Sequence, residues 1–151
     1  MANTFSQIYI HVILSVKREN LIGKNWKDEL YKYITGIVRN KNQKLISING
    51  MPDHVHLLIG LKPDKSLSDL VRDVKSNSTN FINEKGFVHG KFSWQEGYGA
   101  FSYSDSLLDN VINYIENQEL HHQSKTFRDE YIDILKKFKI ENEEKYLPQF
   151  L

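Results

Sequence analysis

The chain contains no cysteine among its 151 residues. That excludes a disulfide scaffold, a thiol nucleophile and every cysteine-based zinc or iron–sulfur centre. The absence fits a reducing compartment, and a cytoplasmic location is expected. A long apolar run is also missing. The first apolar stretch, Ile8 to Val16, is interrupted by His11 and Ser15 and is far shorter than the ~20 residues a membrane span needs. No basic leader and small-residue cleavage site surround it, so no signal peptide is read. Internal repeats and low-complexity segments are lacking as well. The net charge is only +1, which alone gives little support to nucleic-acid binding.

What is present is ordinary in bulk and uneven in detail. A chain of this length is one domain that can bury roughly 68–70% of its unfolded surface. Its 40% hydrophobic and 26% charged residues are typical of a globular protein. Lys17 to Lys44 holds eight basic and three acidic residues, whereas Glu96 to Leu151 holds six basic and eleven acidic. Such asymmetry either focuses an anionic partner on one region or reflects helix faces that happen to differ.

The hydrophobic period changes along the chain. Gln7 to Lys17 is rich in Ile, Val and Tyr and predicts a first strand. Leu30, Tyr33, Ile34, Ile37 and Val38 give a helical stripe over Asn25–Arg39, with Asn25 as its cap. Lys44–Ile48 and His54–Leu61 form a hairpin around the strong turn signal Asn49-Gly50-Met51-Pro52-Asp53. Ser66 and Asp69 open a second helix that Gly86 ends. Phe92–Ser104 reads as a fourth strand, Asp105–His121 as a third helix, and Thr126 with Asp129 opens a fourth. The order βαββαβ predicts an α+β, ferredoxin-like or RRM-like antiparallel sheet with helices on one face. Further helices are appended at the C-terminus. We read 1–151 as a single domain, with residues 1–104 forming the sheet core and 105–151 the C-terminal helices.

His54-Val55-His56 is the sharpest local feature. Residues two apart on a strand point the same way, so two imidazoles can converge on one divalent ion. On its own the pair more often describes two histidines on a half-exposed strand with no metal. Tyr114 and Gln118 lie four apart on a predicted helix and share a face near the edge of its apolar stripe. Alone, they describe a core-edge tyrosine. His11 alternates with apolar strand residues and reads as a satisfied buried or edge histidine. His121 and His122 carry no role beyond a favourable place near a helix C-terminus, and His89 sits in a glycine-flanked loop.

Taken together these features resemble the HUH family of DNA-processing enzymes, and within it the single-tyrosine transposases of small bacterial insertion sequences. REP-associated tyrosine transposases are close relatives of that group. The resemblance rests on Met51-Pro52-Asp53-His54-Val55-His56-Leu57-Leu58, on Trp94-Gln95-Glu96-Gly97-Tyr98-Gly99-Ala100-Phe101-Ser102, on Tyr114-Ile115-Glu116-Asn117-Gln118 and on His121-His122. It implies that His54, His56 and Gln118 bind a divalent Mg or Mn ion and that Tyr114 is the nucleophile that takes the 5′ phosphate of cleaved DNA. It implies single-stranded DNA hairpins at element ends as partners. It also implies a homodimer, in which the tyrosine helix of one protomer can complete the site of the other. The chemistry is coherent. A phenol of pKa ~10 is a poor nucleophile at neutral pH and needs a cation or base beside it, and an anionic phosphodiester needs its developing charge neutralised.

Arg39, Lys41, Lys44, Arg72 and Lys75 are candidate phosphate contacts or solvated surface. Trp94, Tyr98, Phe101 and Tyr103 are candidate base-stacking groups or core. Two other readings compete. A non-catalytic RRM-like nucleic-acid-binding module would need neither metal nor tyrosine. A zinc metallohydrolase would leave no protein–DNA adduct. A domesticated single-tyrosine HUH endonuclease acting on host repeats lies between transposase and binding module.

Overall fold

The computed structural model describes residues 3–150. Its elements run β1 (Tyr9–Ser15), α1 (Lys27–Asn40), β2 (Lys44–Met51), β3 (His54–Gly60), α2 (Leu67–Lys85), β4 (Gly99–Tyr103), α3 (Leu108–Glu116), α4 (Gln118–His121) and α5 (Phe127–Lys137). The four strands form one sheet in the order β2-β3-β1-β4, antiparallel at every pairing. This is the expected ferredoxin-like βαββαβ arrangement.

Strand alternation divides the sheet into two chemically different faces. Val12, Leu14 and Val16 with Val55, Leu57 and Ile59 pack against Leu30, Ile34 and Val38 of α1 and Leu70, Val71 and Val74 of α2. Fully burying an aliphatic side chain of this size contributes about 1.5–3 kcal/mol, so this layer is the main source of stability. On the other face, Ile13 and Phe101 pack with Phe127, Tyr131 and Leu135 of α5, and Leu58 packs with Val111 and Ile115 of α3. The C-terminal helices therefore cover the face that α1 and α2 leave open. His11, His54 and His56 lie on that second face, each no more than 1% exposed.

The local signals held at most turns. Ser66 and Thr126 accept hydrogen bonds from the amides of Asp69 and Asp129, and Gly86 ends α2 at φ 66°. The structure departs from the sequence reading at several points, beginning with β1, which spans Tyr9–Ser15 rather than Gln7–Lys17. Trp26, not Asn25, precedes α1, and no side-chain cap closes that end. Tyr33 of the proposed α1 stripe is 40% exposed and stacks on Phe81 at 4.0 Å, while Tyr31 takes the buried place. Strand β2 runs on to Met51, because Gly50 lets the backbones close. A Cβ there would meet the His54 carbonyl oxygen at 2.2 Å. The expected strand over residues 92–104 shrinks to β4 plus one isolated bridge between Val16 and Trp94, with Gly97 at φ 75° breaking the extended run.

The last difference matters most for the site. The expected helix Asp105–His121 is a 3-10 turn, then α3, then the short α4 after a break at Asn117. Asn49 of β2 causes the break by donating its side-chain amide to the carbonyls of Ile115 and Glu116, at 3.0 and 3.1 Å. The end of α3 is thereby pinned to the sheet. Leu107 lies outside α3 and is 43% exposed.

Candidate metal and tyrosine centre

Three imidazoles turn the same nitrogen toward one point. His54 donates from Nδ1 to Asp53 Oδ1 at 2.7 Å, and its ring stacks on Phe127 at 3.8 Å. His122 donates from Nδ1 to the Lys125 carbonyl at 2.8 Å. His56 places Nδ1 2.7 Å from Nε2 of His11 on β1. A carboxylate and a carbonyl only accept, so His54 and His122 carry their protons on Nδ1 and direct Nε2 inward. For His54 and His122 a carboxylate and a backbone carbonyl are the partners that metal-binding histidines commonly have.

Facing these nitrogens are two oxygens from the C-terminal helices. Gln118 Oε1 lies 3.1 Å from Nε2 of both His54 and His122. Glu130 Oε1 lies 3.2, 3.2 and 3.3 Å from Nε2 of His54, His56 and His122. His54, His122 and Glu130 hold ligand atoms within 4.8 Å of one another and could bind a metal ion. His56 joins that triplet through Glu130. The donor set of imidazoles with a carboxylate and an amide oxygen suits a divalent cation.

The second oxygen of Glu130 points to the phenol. Glu130 Oε2 accepts from the Tyr114 hydroxyl and, at 3.2 Å, from Gln118 Nε2. One carboxylate therefore ties the candidate nucleophile to the candidate cation site, all within one chain. Charge is tightly balanced here. Burial opposes ionisation of Glu130, but hydrogen bonds from His122, His54 and His56 hold its carboxyl far below the usual range. Burial likewise opposes charge on His54, yet Asp53 and Glu130 push its pKa up to about 9. Burial lowers His56 and lowers His11 further. Burial, then the Glu130 carboxylate, raises the Tyr114 phenol well above 10.

A cleft of ≈ 440 Å³ between α3 and α5 reaches the phenol, lined among others by Tyr103, Asn110, Tyr114, His121, Lys125 and Lys137. A second cavity, ≈ 600 Å³, lies across the His122–Thr126 segment and is lined by Pro52, Asp53, Lys125 and Arg128.

Of the residues singled out from sequence, His54, His56, Gln118 and Tyr114 come together. Arg39, Lys41, Lys44, Arg72 and Lys75 do not. They belong to the α1 and α2 side or, for Lys44, to the end of the hairpin that pairs with Gly60 rather than His54. Arg72 pairs with Asp69, and Lys41 with Asp73. Lys75 donates to the carbonyls of Gln95 and Gly97, and burial lowers its pKa. Trp94 and Phe101 are core, while Tyr98 is 39% exposed. Sequence reasoning missed Glu130 and gave His122 and His11 no part. Glu130 had one available signal: it interrupts the apolar stripe Phe127, Tyr131, Ile134 on the buried side of α5.

The family model described as "Transposase IS200 like" matches residues 4–118. That span includes His54, His56, Tyr114 and Gln118 and stops before His122 and Glu130. The ISDra2 transposase TnpA of Deinococcus radiodurans is 27% identical over 118 residues, covering 74% of this chain and 84% of that protein. Two solved structures share the fold. One, described as a transposase from Deinococcus radiodurans R1, has a TM-score of 0.62 at 24% identity and covers 78% of this chain and 95% of its own. The other is a REP-associated tyrosine transposase bound to a REP hairpin, with a TM-score of 0.61 at 14% identity, covering 81% of this chain and 73% of its own.

Proposed function

The chain belongs to the IS200-like transposase family, and from that premise we propose that it cleaves and rejoins single-stranded DNA at element ends by transesterification through Tyr114. The observation that carries this reading is the two-sided carboxylate, with Glu130 Oε2 on the Tyr114 hydroxyl and Oε1 among three imidazole nitrogens. A structural tyrosine at a core edge needs no such neighbour.

His54, His56 and Gln118, joined by His122 and Glu130, would hold the divalent ion; Mg or Mn is the class expected, and the imidazoles favour Mn. When bound, the ion supplies positive charge that stabilises the phosphoryl oxygens and eases ionisation of the phenol. The chain's own residues do the rest. Tyr114 attacks phosphorus, a phosphotyrosine bond forms, and the bond to the departing 3′ oxygen breaks. The phenolic proton leaves along its hydrogen bond to Glu130 Oε2 and ends on the departing 3′ oxygen, a far stronger base than the ionised carboxylate. The phosphotyrosine keeps the energy of the broken diester, so a second 3′ hydroxyl can attack it and restore the phenol without ATP.

A DNA hairpin is the substrate we extend to this chain from the hairpin-bound structural neighbour. Lys125 lines both cavities beside the site, and we place the strand across it. Because Tyr114 and the cluster lie in one chain, a homodimer would complete each site without exchanging tyrosine helices. The test is covalent trapping of hairpin oligonucleotides in Mg or Mn. Wild-type protein should form an adduct that chelator abolishes, and Tyr114→Phe should form none. An adduct of the same yield from the Phe variant would overturn the assignment. Free hydrolysis products without adduct would favour the metallohydrolase reading, and chelator-insensitive binding without cleavage the binding-module reading.

A further inference from the structure

Two of the three inward-facing histidines have partners that can only accept; the third does not. Asp53 and the Lys125 carbonyl settle the protons of His54 and His122. His56 meets instead the imidazole of His11, which can donate or accept. If His11 donates from Nε2, then His56 keeps its own proton on Nε2, where it points at Glu130 Oε1 and blocks a cation. If His11 accepts, the His56 proton sits on Nδ1 and its Nε2 lone pair is free. The two arrangements carry equal numbers of protons.

His11 is poorly accommodated as a structural residue. It is 1% exposed on β1, stacked on His56 at 4.9 Å and flanked by Phe101 and Tyr103. Its Nδ1 is the one buried side-chain nitrogen or oxygen without a hydrogen-bond partner among the described residues. An aliphatic or aromatic side chain would fill this apolar surrounding without leaving a polar atom unpaired. The imidazole thus has a cost that packing does not explain, while its other nitrogen touches a candidate ligand.

We propose that His11 is the positioning residue for His56: its Nε2 accepts the Nδ1–H of His56 and so presents the His56 Nε2 lone pair to the cation. This rests on the metal-site reading above, in which His56 is a ligand. The side chains of Gln and Asn separate the idea from mere burial, because Gln can place an acceptor where Nε2 stands and Asn only where Nδ1 stands.

The experiment measures Mn affinity from the electron paramagnetic resonance of free Mn, on variants shown to be folded by circular dichroism. His11→Gln should bind within about threefold of wild type, and His11→Asn and His11→Phe about 10–100-fold more weakly, the usual effect of losing such a partner. In Mg-loaded, 15N-histidine-labelled wild type, a scalar coupling across the hydrogen bond should join His11 Nε2 to His56 Nδ1, with the proton on His56. His56→Ala is the companion control. If it weakens Mn binding while His11→Asn and His11→Phe match wild type, the His11 proposal is overturned and the metal site stands. If His56→Ala changes nothing, the metal-site reading itself fails and takes the proposal with it. Should the Phe variant not fold, the Asn variant and the coupling decide, and a missing coupling in Mg-loaded protein overturns the proposal.

Discussion

Raising the pH of metal-free protein from 6.5 to 9.5 should destabilise it through one imidazole. Burial disfavours charge on His54, but Asp53 and Glu130 outweigh it and push the pKa to about 9. In the unfolded chain a histidine titrates near ~6.5. A group whose pKa rises on folding contributes stability that is fully present below the unfolded value and is lost as pH climbs through the folded one. At ~1.4 kcal/mol per pH unit the loss is roughly 3 kcal/mol, and His54 is 0% exposed, so water screens little of it. For a chain of this length that is a fall in Tm of about 6–12 °C. His11 and His56, both lowered, titrate below the window in the folded protein, and only the end of their unfolded-state titration near ~6.5 offsets a little of the fall; the raised Tyr114 titrates above it. Calorimetry in chelator at stepped pH reads the effect directly. Asp53→Asn should shrink the fall, and saturating Mn should remove it, because the cation takes the place of the proton. A flat Tm between pH 7 and 9.5, or an undiminished fall in Asp53→Asn, refutes the electrostatic account of the cluster.

Three further outcomes follow from the same geometry. Glu130→Gln keeps the shape but removes the anion and the proton acceptor, so single-turnover adduct formation in saturating Mn should slow by about 10²–10⁴-fold; a rate within threefold of wild type would remove Glu130 from the chemistry. Gly50→Ala sets a Cβ 2.2 Å from the His54 carbonyl and 2.9 Å from Val55 Cα, backbone atoms that cannot step aside. Urea unfolding should show a loss of about 1–3 kcal/mol, with weakened Mn binding because His54 moves with the hairpin. Mixed protomers of Tyr114→Phe and His54→Ala should form no adduct, since each intact site needs both residues in one chain; restored adduct would mean the tyrosine helix is exchanged.

The parts of the architecture that were legible in the sequence are those set by local periodicity and turn chemistry. The βαββαβ order follows from the Ile- and Val-rich run Gln7–Lys17 and the turn signal before His54–Leu61, set against the helical stripes of α1 and α2, and the caps Ser66, Thr126 and Gly86 occupy their expected places. His54 and His56 share a face for the same reason, the strand period of two. What the sequence hid depends on tertiary contact. The break at Asn117 comes from Asn49, 68 positions earlier in the chain and on another element. Glu130 stands in the first turn of α5 beside Asp129, where an acidic residue ordinarily faces water and favours the helix dipole. Only the docking of α5 on the sheet buries it among three histidines. His11 looked like one more strand residue because its significance lies across the β1–β3 pairing, where it contacts His56 rather than its register partner Leu58.

One divalent cation would sit among His54, His56, Gln118, His122 and Glu130, within reach of the Tyr114 phenol of the same chain. Anomalous diffraction at the manganese edge from Mn-soaked crystals would locate it. The expected result is a single strong peak bonded to Nε2 of His54 and His56, with Tyr114 of that protomer facing it. A peak held by other residues, or a site empty at saturating Mn while these side chains remain as described, would contradict this placement.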